Sequence, residues 1–245
     1  MVIPTLDEAG TLPELLPPLV AAAQEVIVSD GGSQDGTPEL ARSLGARVVA
    51  GGRGRGAQLN RGAAAATAPI LLFLHADTKV SREALEAAER AVAEGAEGGG
   101  FRVRFSSPSR LMAFGAGWIN LRTRLCGWPL GDQAQFVARR VFEEMGGFPE
   151  WPILEDLELA RRLCRRGRLR LVPLAVTTSA RRFESQGRLR TVATNWTIWT
   201  LFFLGVSPAR LARLYRPAAG RLEPRSAVAT APLAPRAQAI TSDEP

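Results

Sequence analysis

The sequence predicts an α/β protein built on a mixed, mainly parallel sheet with helices on both faces. Three features carry that prediction. Short β-branched runs alternate with stretches of helical period up to Gly100. Those runs are apolar at nearly every position, the pattern of strands covered on two sides. Glycine-rich turns with carboxylates stand where the runs stop, and in open α/β sheets ligands bind there.

The elements follow in order. "VIP" opens the first strand, and "EAGTLPELLPPLVAAAQ" follows with helical character. "EVIVSD" makes the second strand, "TPELARSLG" the second helix and "ARVVA" the third strand. "RGAQLNRGAAAAT" returns as a helix to "ILLFLHAD", the fourth strand, and "SREALEAAERAVAEG" closes the alternation with a helix. After Gly100 come isolated strands, "FRVRF", "AQFVA" and "LRLVPLAV", among helices that include "ILEDLELARRLCRR". A second half of mixed direction on the same sheet is expected.

With 245 residues and 46% hydrophobic content the chain can bury one full core, which excludes disorder of the whole. Residues 217–245, rich in Pro, Ala and small polar side chains, are expected to form a disordered tail. Cys126 and Cys164 read as reduced packing residues of a cytosolic protein. The N-terminus lacks a basic stretch followed by a long apolar run, so no signal peptide is expected. Trp196 to Val206 is too short and too threonine-rich to span a bilayer, though it can lie on one.

Charge is unevenly placed. Thirteen arginines and one acid, Glu184, fall between 161 and 216, whereas the first 160 residues carry a net −5. A basic second part is suited to an anion such as a diphosphate, lipid headgroups or nucleic acid. Its aromatics (Trp196, Trp199, Phe202, Phe203) cluster in one apolar run and do not alternate with arginines as stacking platforms do, which argues against nucleic acid. Arg210, Arg213 and Arg216 follow that run at helical spacing. Weak peripheral contact with an anionic membrane is therefore expected there, against the alternative of a packed terminal helix.

Carboxylates stand at three strand ends: Asp7 and Glu8, then Asp30, then Asp77. In "VSDGGSQDGT" the glycines turn the chain while Asp30 offers a carboxylate to a base or ribose, and Asp35 or Thr37 caps the next helix. Asp77 in "HADT" faces an anionic ligand best through hard Mg²⁺ or Mn²⁺, whereas the lone His75 reads as structural, with ligation as its weaker alternative. Together "IPTLDEA", "VSDGGSQDGT", "GRGAQLNRGAAAATAPILLFLHADT", "GDQAQFVARRVFEEMGGFPE" and "ILEDLELARRLCRRG" resemble glycosyltransferase family 2, inverting nucleotide-sugar transferases of GT-A (Rossmann-like) fold. The later "TTSARRFESQGRLRT" resembles a small bacterial subgroup assigned to arsenosugar biosynthesis or carotenoid-type transfer.

That resemblance implies roles by position. Pro4, Thr5, Asp7 and Glu8 form the first nucleotide loop, Asp30 holds the uracil or ribose, and Arg55 and Asn60 lie on the segment lining the nucleotide. Asp77 carries the metal, with His75 standing where the family usually has an acid. Asp156, beside Glu155, is the catalytic base. It also implies a nucleotide-sugar half over 1–100, an acceptor and catalytic half over 101–190, and C-terminal helices over 191–216. The implied partners are a nucleotide-sugar donor, UDP-linked, and a small-molecule or lipid hydroxyl acceptor at the inner face of the membrane. No oligomeric state is implied.

The chemistry agrees independently, because inversion needs a base for the acceptor hydroxyl and cations for the departing diphosphate. Asp156 at a helix N-terminus, with Gly131, Asp132 and Gln133 upstream, suits the base, and Arg181 and Arg182 suit the diphosphate. Acceptor contacts are expected from "SSPSRLMAFGAGWINLRTRLCGWPLGDQ", where Trp118 and Trp128 either stack on a sugar or belong to the core. Two other classes remain. "AGGRGRG" imitates the phosphate loop of sugar-1-phosphate nucleotidyltransferases, and a non-catalytic nucleotide-sugar-binding protein fits the same turns.

Overall fold

A computed structural model describes residues 1–180 and 188–215 of the chain. The first half alternates as the sequence predicts: β1 (Val2–Thr5), α1 (Leu12–Ala22), β2 (Ile27–Asp30), α2 (Thr37–Ser43), β3 (Arg47–Ala50), α3 (Arg55–Ala65) and β4 (Ile70–Phe73). There follow β5 (Thr78–Lys79), α4 (Arg82–Ala93), β6 (Gly98–Phe105), α5 (Arg110–Cys126), a 3₁₀ turn at Gly131–Gln133, β7 (Gln135–Ala138), α6 (Arg139–Glu144), α7 (Glu155–Arg165), β8 (Leu169–Thr178), α8 (Arg188–Phe203) and α9 (Pro208–Tyr215).

The strands form one eight-stranded sheet in the order β3-β2-β1-β4-β7-β6-β8-β5. β3, β2, β1 and β4 run parallel, as their helical crossovers require. β7 is antiparallel to both β4 and β6, β8 is parallel to β6, and β5 is antiparallel to β8. Strand parity builds two cores. Ile3, Val28 and Leu72 face α1 and α4, meeting Leu12, Leu16 and Ala88. Their neighbours Val2, Ile27 and Leu71 face the other way, onto Leu59 of α3, Phe142 of α6 and Leu163 of α7. Both faces being covered explains why these strands show no polar alternation.

Two expectations need correction, the length of the fourth strand and the packing of Cys126. The fourth strand stops at Phe73, and the stretch from Leu74 to Asp77 leaves it to reach the short β5, whose Thr78 hydroxyl bonds that of Thr178 at 3.0 Å. The stretch expected to supply acceptor contacts is largely the 17-residue α5. Its inward face, Met112, Ala116 and Ile119, packs on Val103, Phe105 and Ala180, and the Asn120 amide pairs with both backbone groups of Val103 at 2.8 and 3.0 Å. Cys126 is exposed and Cys164 half-buried, both free, so Cys126 is no packing residue. Arg181, Arg182, Arg216 and the tail lie outside the described residues.

Candidate active site

The loops after β1 and β2 are zipped by their own polar groups. Asp7 accepts from the Gln34 amide at 2.9 Å, and its own N–H donates to the Ser33 hydroxyl at 2.8 Å. The Glu8 N–H donates to Thr37 Oγ1 at 2.9 Å, and the Ala9 N–H to Asp35 at 3.0 Å. Asp35 also accepts the Thr37 amide at 3.0 Å, so it starts α2 while tying in the first loop. Asp30 is only 2% exposed. Burial pushes its carboxyl up, but the Ser33 hydroxyl, the Ser33 and Gly32 amides and the Thr5 hydroxyl outweigh this and hold it below the usual range. Those four donors fill its acceptor positions. Through these contacts the Asp30 carboxylate, expected to meet the ribose or base, shapes the loop. Pro4 lies within β1, opposite Ser29.

Helix α3 is clamped at two points. The Gln58 amide donates to Thr5 O at 2.8 Å and Ser29 O at 2.9 Å, fixing the helix to the ends of β1 and β2. Asn60 donates to Phe148 O and accepts from Phe148 N, both at 2.9 Å. Asn60, on the segment expected to line the nucleotide, thus ties α3 to the chain leading into α7.

This clamp brings the start of α3 against the start of α7. Arg55 Nε lies 3.0 Å from Glu155 Oε1, and Arg55 Nη2 lies 3.7 Å from Asp156 Oδ2. Arg55 Nη2 also contacts His75 Nε2. The guanidinium expected on the nucleotide segment therefore faces carboxylates and imidazole. Because Phe73 of β4 stands opposite Gln135 of β7, the turn Gly131–Gln133 falls beside His75. Asp156 is held by the Gly131 amide on Oδ2 and the Leu157 amide on Oδ1, both at 2.8 Å. Gly131 lets the three side chains close on it: a Cβ there would run into Arg55, His75 and Asp156 and displace them.

Burial separates the carboxylates by role. The side chain of Glu155 is 3% exposed and that of Asp156 17%. Burial pushes the Glu155 carboxyl up, Arg55 opposes this and Asp156 adds to it. Asp132 Oδ1 is sealed from solvent and has no hydrogen-bond partner among the described residues. Its carboxyl is likewise pushed up by burial, against Arg122 and Arg55 and with the help of Asp156.

Arg122 of α5 was not singled out in the sequence, yet it belongs here. It donates to Gln133 Oε1 at 3.1 Å, lies 5.0 Å from the Trp199 ring centroid, and is lowered by burial against the pull of Asp132 and Asp156. Asn120 and Thr123, polar residues turned inward beside it, were the available signal. Gln133 also takes the Thr123 hydroxyl at 2.7 Å and donates to Phe101 O at 2.9 Å. Trp128 stacks on Phe203 with centroids 5.7 Å apart, and Trp118 tilts against Trp196 at 6.1 Å. A cavity of ≈ 520 Å³ between α5 and the β6–β8 edge is lined by Phe101, Asn120, Leu121, Arg124 and Gln133.

Backbone strain collects around these groups. The non-glycine residues with left-handed backbone are Asp7 (φ 54°), Ala134 (φ 48°) and Leu154 (φ 66°) among the described residues. Each adjoins a site segment.

A profile described as glycosyl transferase family 2 matches residues 1–125, just over half of the chain. The chain belongs to that family. No curated protein matches it. The fold is shared with solved structures at low identity. A mannosyltransferase from Pyrobaculum calidifontis, in complex with GDP-Man and Mn²⁺, has TM-score 0.60 and 19% identity over 87% of this chain and 67% of its own. Staphylococcus aureus TarS 1-349, in complex with UDP-GlcNAc, has TM-score 0.57 and 17% identity over 73% of this chain. Glucosyl-3-phosphoglycerate synthase from Mycobacterium tuberculosis, in complex with Mn²⁺, UDP and glucosyl-3-phosphoglycerate, has TM-score 0.53 and 22% identity over 71% of this chain and 68% of its own. This family 2 member spans 57% of the TarS chain. The mixed sheet of GT-A glycosyltransferases is thus the fold of this chain.

Proposed function

We propose that this protein is an inverting glycosyltransferase that moves a sugar from a nucleotide-sugar donor, UDP-linked, to a hydroxyl acceptor, with Asp156 as general base. One observation carries the reading. Asp156 is the more exposed of two adjacent carboxylates, gripped by two backbone amides at 2.8 Å beside Arg55 at the start of α3. A carboxylate so held can take the acceptor proton without moving, while Glu155 holds Arg55 in place from the buried side.

The family implies a divalent cation, and the residues fit one only in a restricted way. Among the described residues no group of three or more His, Cys, Asp and Glu side chains is arranged to hold a metal. His75 is turned to Arg55, whose positive charge opposes a cation there. Asp77, half-exposed, remains as one hard ligand. Mg²⁺ and Mn²⁺ are commonly held by one or two carboxylates together with phosphate oxygens, so Asp77 would hold the ion jointly with the donor diphosphate. Bound there, it would neutralise charge on the leaving diphosphate. Arg181 and Arg182, outside the described residues, are assigned the same task by their sequence position.

Pro4, Thr5, Asp7 and Glu8 provide the donor loop, shaped by Asp30. The cavity against α5, reaching Gln133, supplies the acceptor chamber for a small molecule or lipid, and Trp128, Gly131 and Asp132, close to Gln133 in sequence, are assigned to the same acceptor. The organisation is one catalytic domain over 1–216 with the tail 217–245 outside it, at work on the cytoplasmic side of the membrane, in the arsenosugar or carotenoid-type subgroup. Thermal-shift screening of nucleotide sugars with Mn²⁺ or Mg²⁺ tests the donor, since a ligand of the native state raises the melting temperature by mass action. Stabilisation by a nucleoside triphosphate and release of pyrophosphate would instead favour a nucleotidyltransferase.

A further inference from the structure

Helix α5 has two faces, and only one is used within the fold. Leu111, Phe114, Trp118, Leu121 and Leu125 follow one another at spacings of three and four, which places them in one stripe along its length of about 25 Å. They are 51%, 74%, 48%, 47% and 76% exposed. The stripe continues onto α8, where Trp196, 55% exposed, meets Trp118, and Val192 is 45% exposed. Soluble surfaces rarely leave so continuous an apolar row open to water. Trp196 belongs to the run weighed between membrane contact and a packed helix, and it stands out with this row.

Charge decides what covers it. No acid occurs between Glu97 and Asp132, or between 188 and 215. Arg102, Arg104, Arg110 and Arg124 are exposed on α5 and β6, and Arg210 and Arg213 on α9. Arg110 and Arg124 directly precede Leu111 and Leu125, so they flank the stripe where a coiled-coil partner would place its opposite charges. A second copy of this face brings arginine against arginine. A surface of fixed negative charge with an apolar layer beneath satisfies both features. No described helix is long and apolar enough to cross a membrane, which suits contact in the plane.

We propose that the α5 stripe, continued by α8, lies on an anionic lipid bilayer, with the flanking arginines at the headgroups. This extends the expected contact of α9 to a broader face centred on α5. It does not rest on the transferase chemistry, and its test needs no donor or turnover.

The experiment is flotation of the full-length protein with vesicles of phosphatidylcholine alone or with one third phosphatidylglycerol, at low and high salt. Wild-type protein is expected to float with anionic vesicles at low salt and to be released by high salt. Phe114→Ser and Leu125→Ser remove exposed side chains, so melting should hold while partition falls roughly tenfold or more. Arg110→Gln with Arg124→Gln should weaken partition about thirtyfold, since each cation near an anionic surface contributes about fivefold. Wild-type protein that stays in solution with anionic vesicles at low salt overturns the proposal. So does undiminished flotation of the serine variants, or sedimentation as a dimer that Phe114→Ser splits without any vesicle binding.

Discussion

Gly131→Ala separates the site from the fold. A Cβ at this position would lie 2.6 Å from His75 Nε2 and 3.1 Å from Asp156 Oδ2, and would also strike Arg55 Nη2. Carbon contacts are comfortable from about 3.5 Å, so His75 must retreat by roughly 1 Å and Arg55 by at least as much. The backbone needs no left-handed conformation at residue 131, so alanine costs nothing there. All three struck atoms are ends of side chains, which puts the stability loss near the lower end of the usual overpacking range, about 1 kcal/mol, or a melting shift of about 2–4 °C. Misplacing a base and its companions by about 1 Å lowers turnover by roughly a hundredfold. The assay is release of nucleoside diphosphate under saturating donor, beside a thermal melt and a donor titration. Turnover within twofold of wild type, with the melt unchanged, would refute the assembly of Arg55, His75 and Asp156 around Gly131.

Asp156→Asn keeps the two amide contacts but removes the proton acceptor, so kcat should fall by about two to four orders of magnitude with donor affinity retained; retained turnover removes Asp156 from the base role. Asp77→Ala should weaken donor binding under Mn²⁺ more than His75→Ala does, checked by calorimetric titration with and without the ion; the opposite order would make His75 the ligand. Asn60→Ala leaves Phe148 N and O without their partner and should cost roughly 1–3 kcal/mol in urea unfolding. Its donor affinity should stay unchanged, because the amide serves the clamp. Asp132 has a folded pKa raised above its unfolded value, so the folded state holds its proton more tightly. Its stabilising protonation is complete below the unfolded value and is lost as pH rises through the folded one. Wild type should therefore gain stability over Asp132→Asn as pH drops from neutral toward 4, read from urea midpoints; a flat difference would deny the buried charge.

The alternation of the first half was legible because each strand and helix carries its own period, and the carboxylates at strand ends follow from that order. Asp156 beside Gly131 was legible only as two separate motifs. Their meeting depends on β7 running antiparallel to β4, which no local pattern announces. Helix α5 was obscured because its apolar residues point both inward, at Met112 and Ala116, and outward, at Phe114 and Leu125, so no amphipathic period stands out. Arg55 meeting His75 joins residues 20 apart through a helix crossing, and the internal contacts of Asp30 were not legible because a free carboxylate and a satisfied one read alike in sequence.

The left-handed residues at positions 7, 134 and 154 set a limit on how this scaffold can be made heat-resistant. Left-handed backbone in a residue with a Cβ costs roughly 1–2 kcal/mol, and glycine recovers that less about 0.5–1 kcal/mol of added chain entropy. Ala134→Gly is the smallest such edit, although the buried methyl group it removes, worth about 0.8 kcal/mol, takes back most of that gain. Yet Ala134 follows the turn that carries Gly131, Asp132 and Gln133, and a looser joint there lets the turn wander. Heat resistance gained at these joints would be traded against activity.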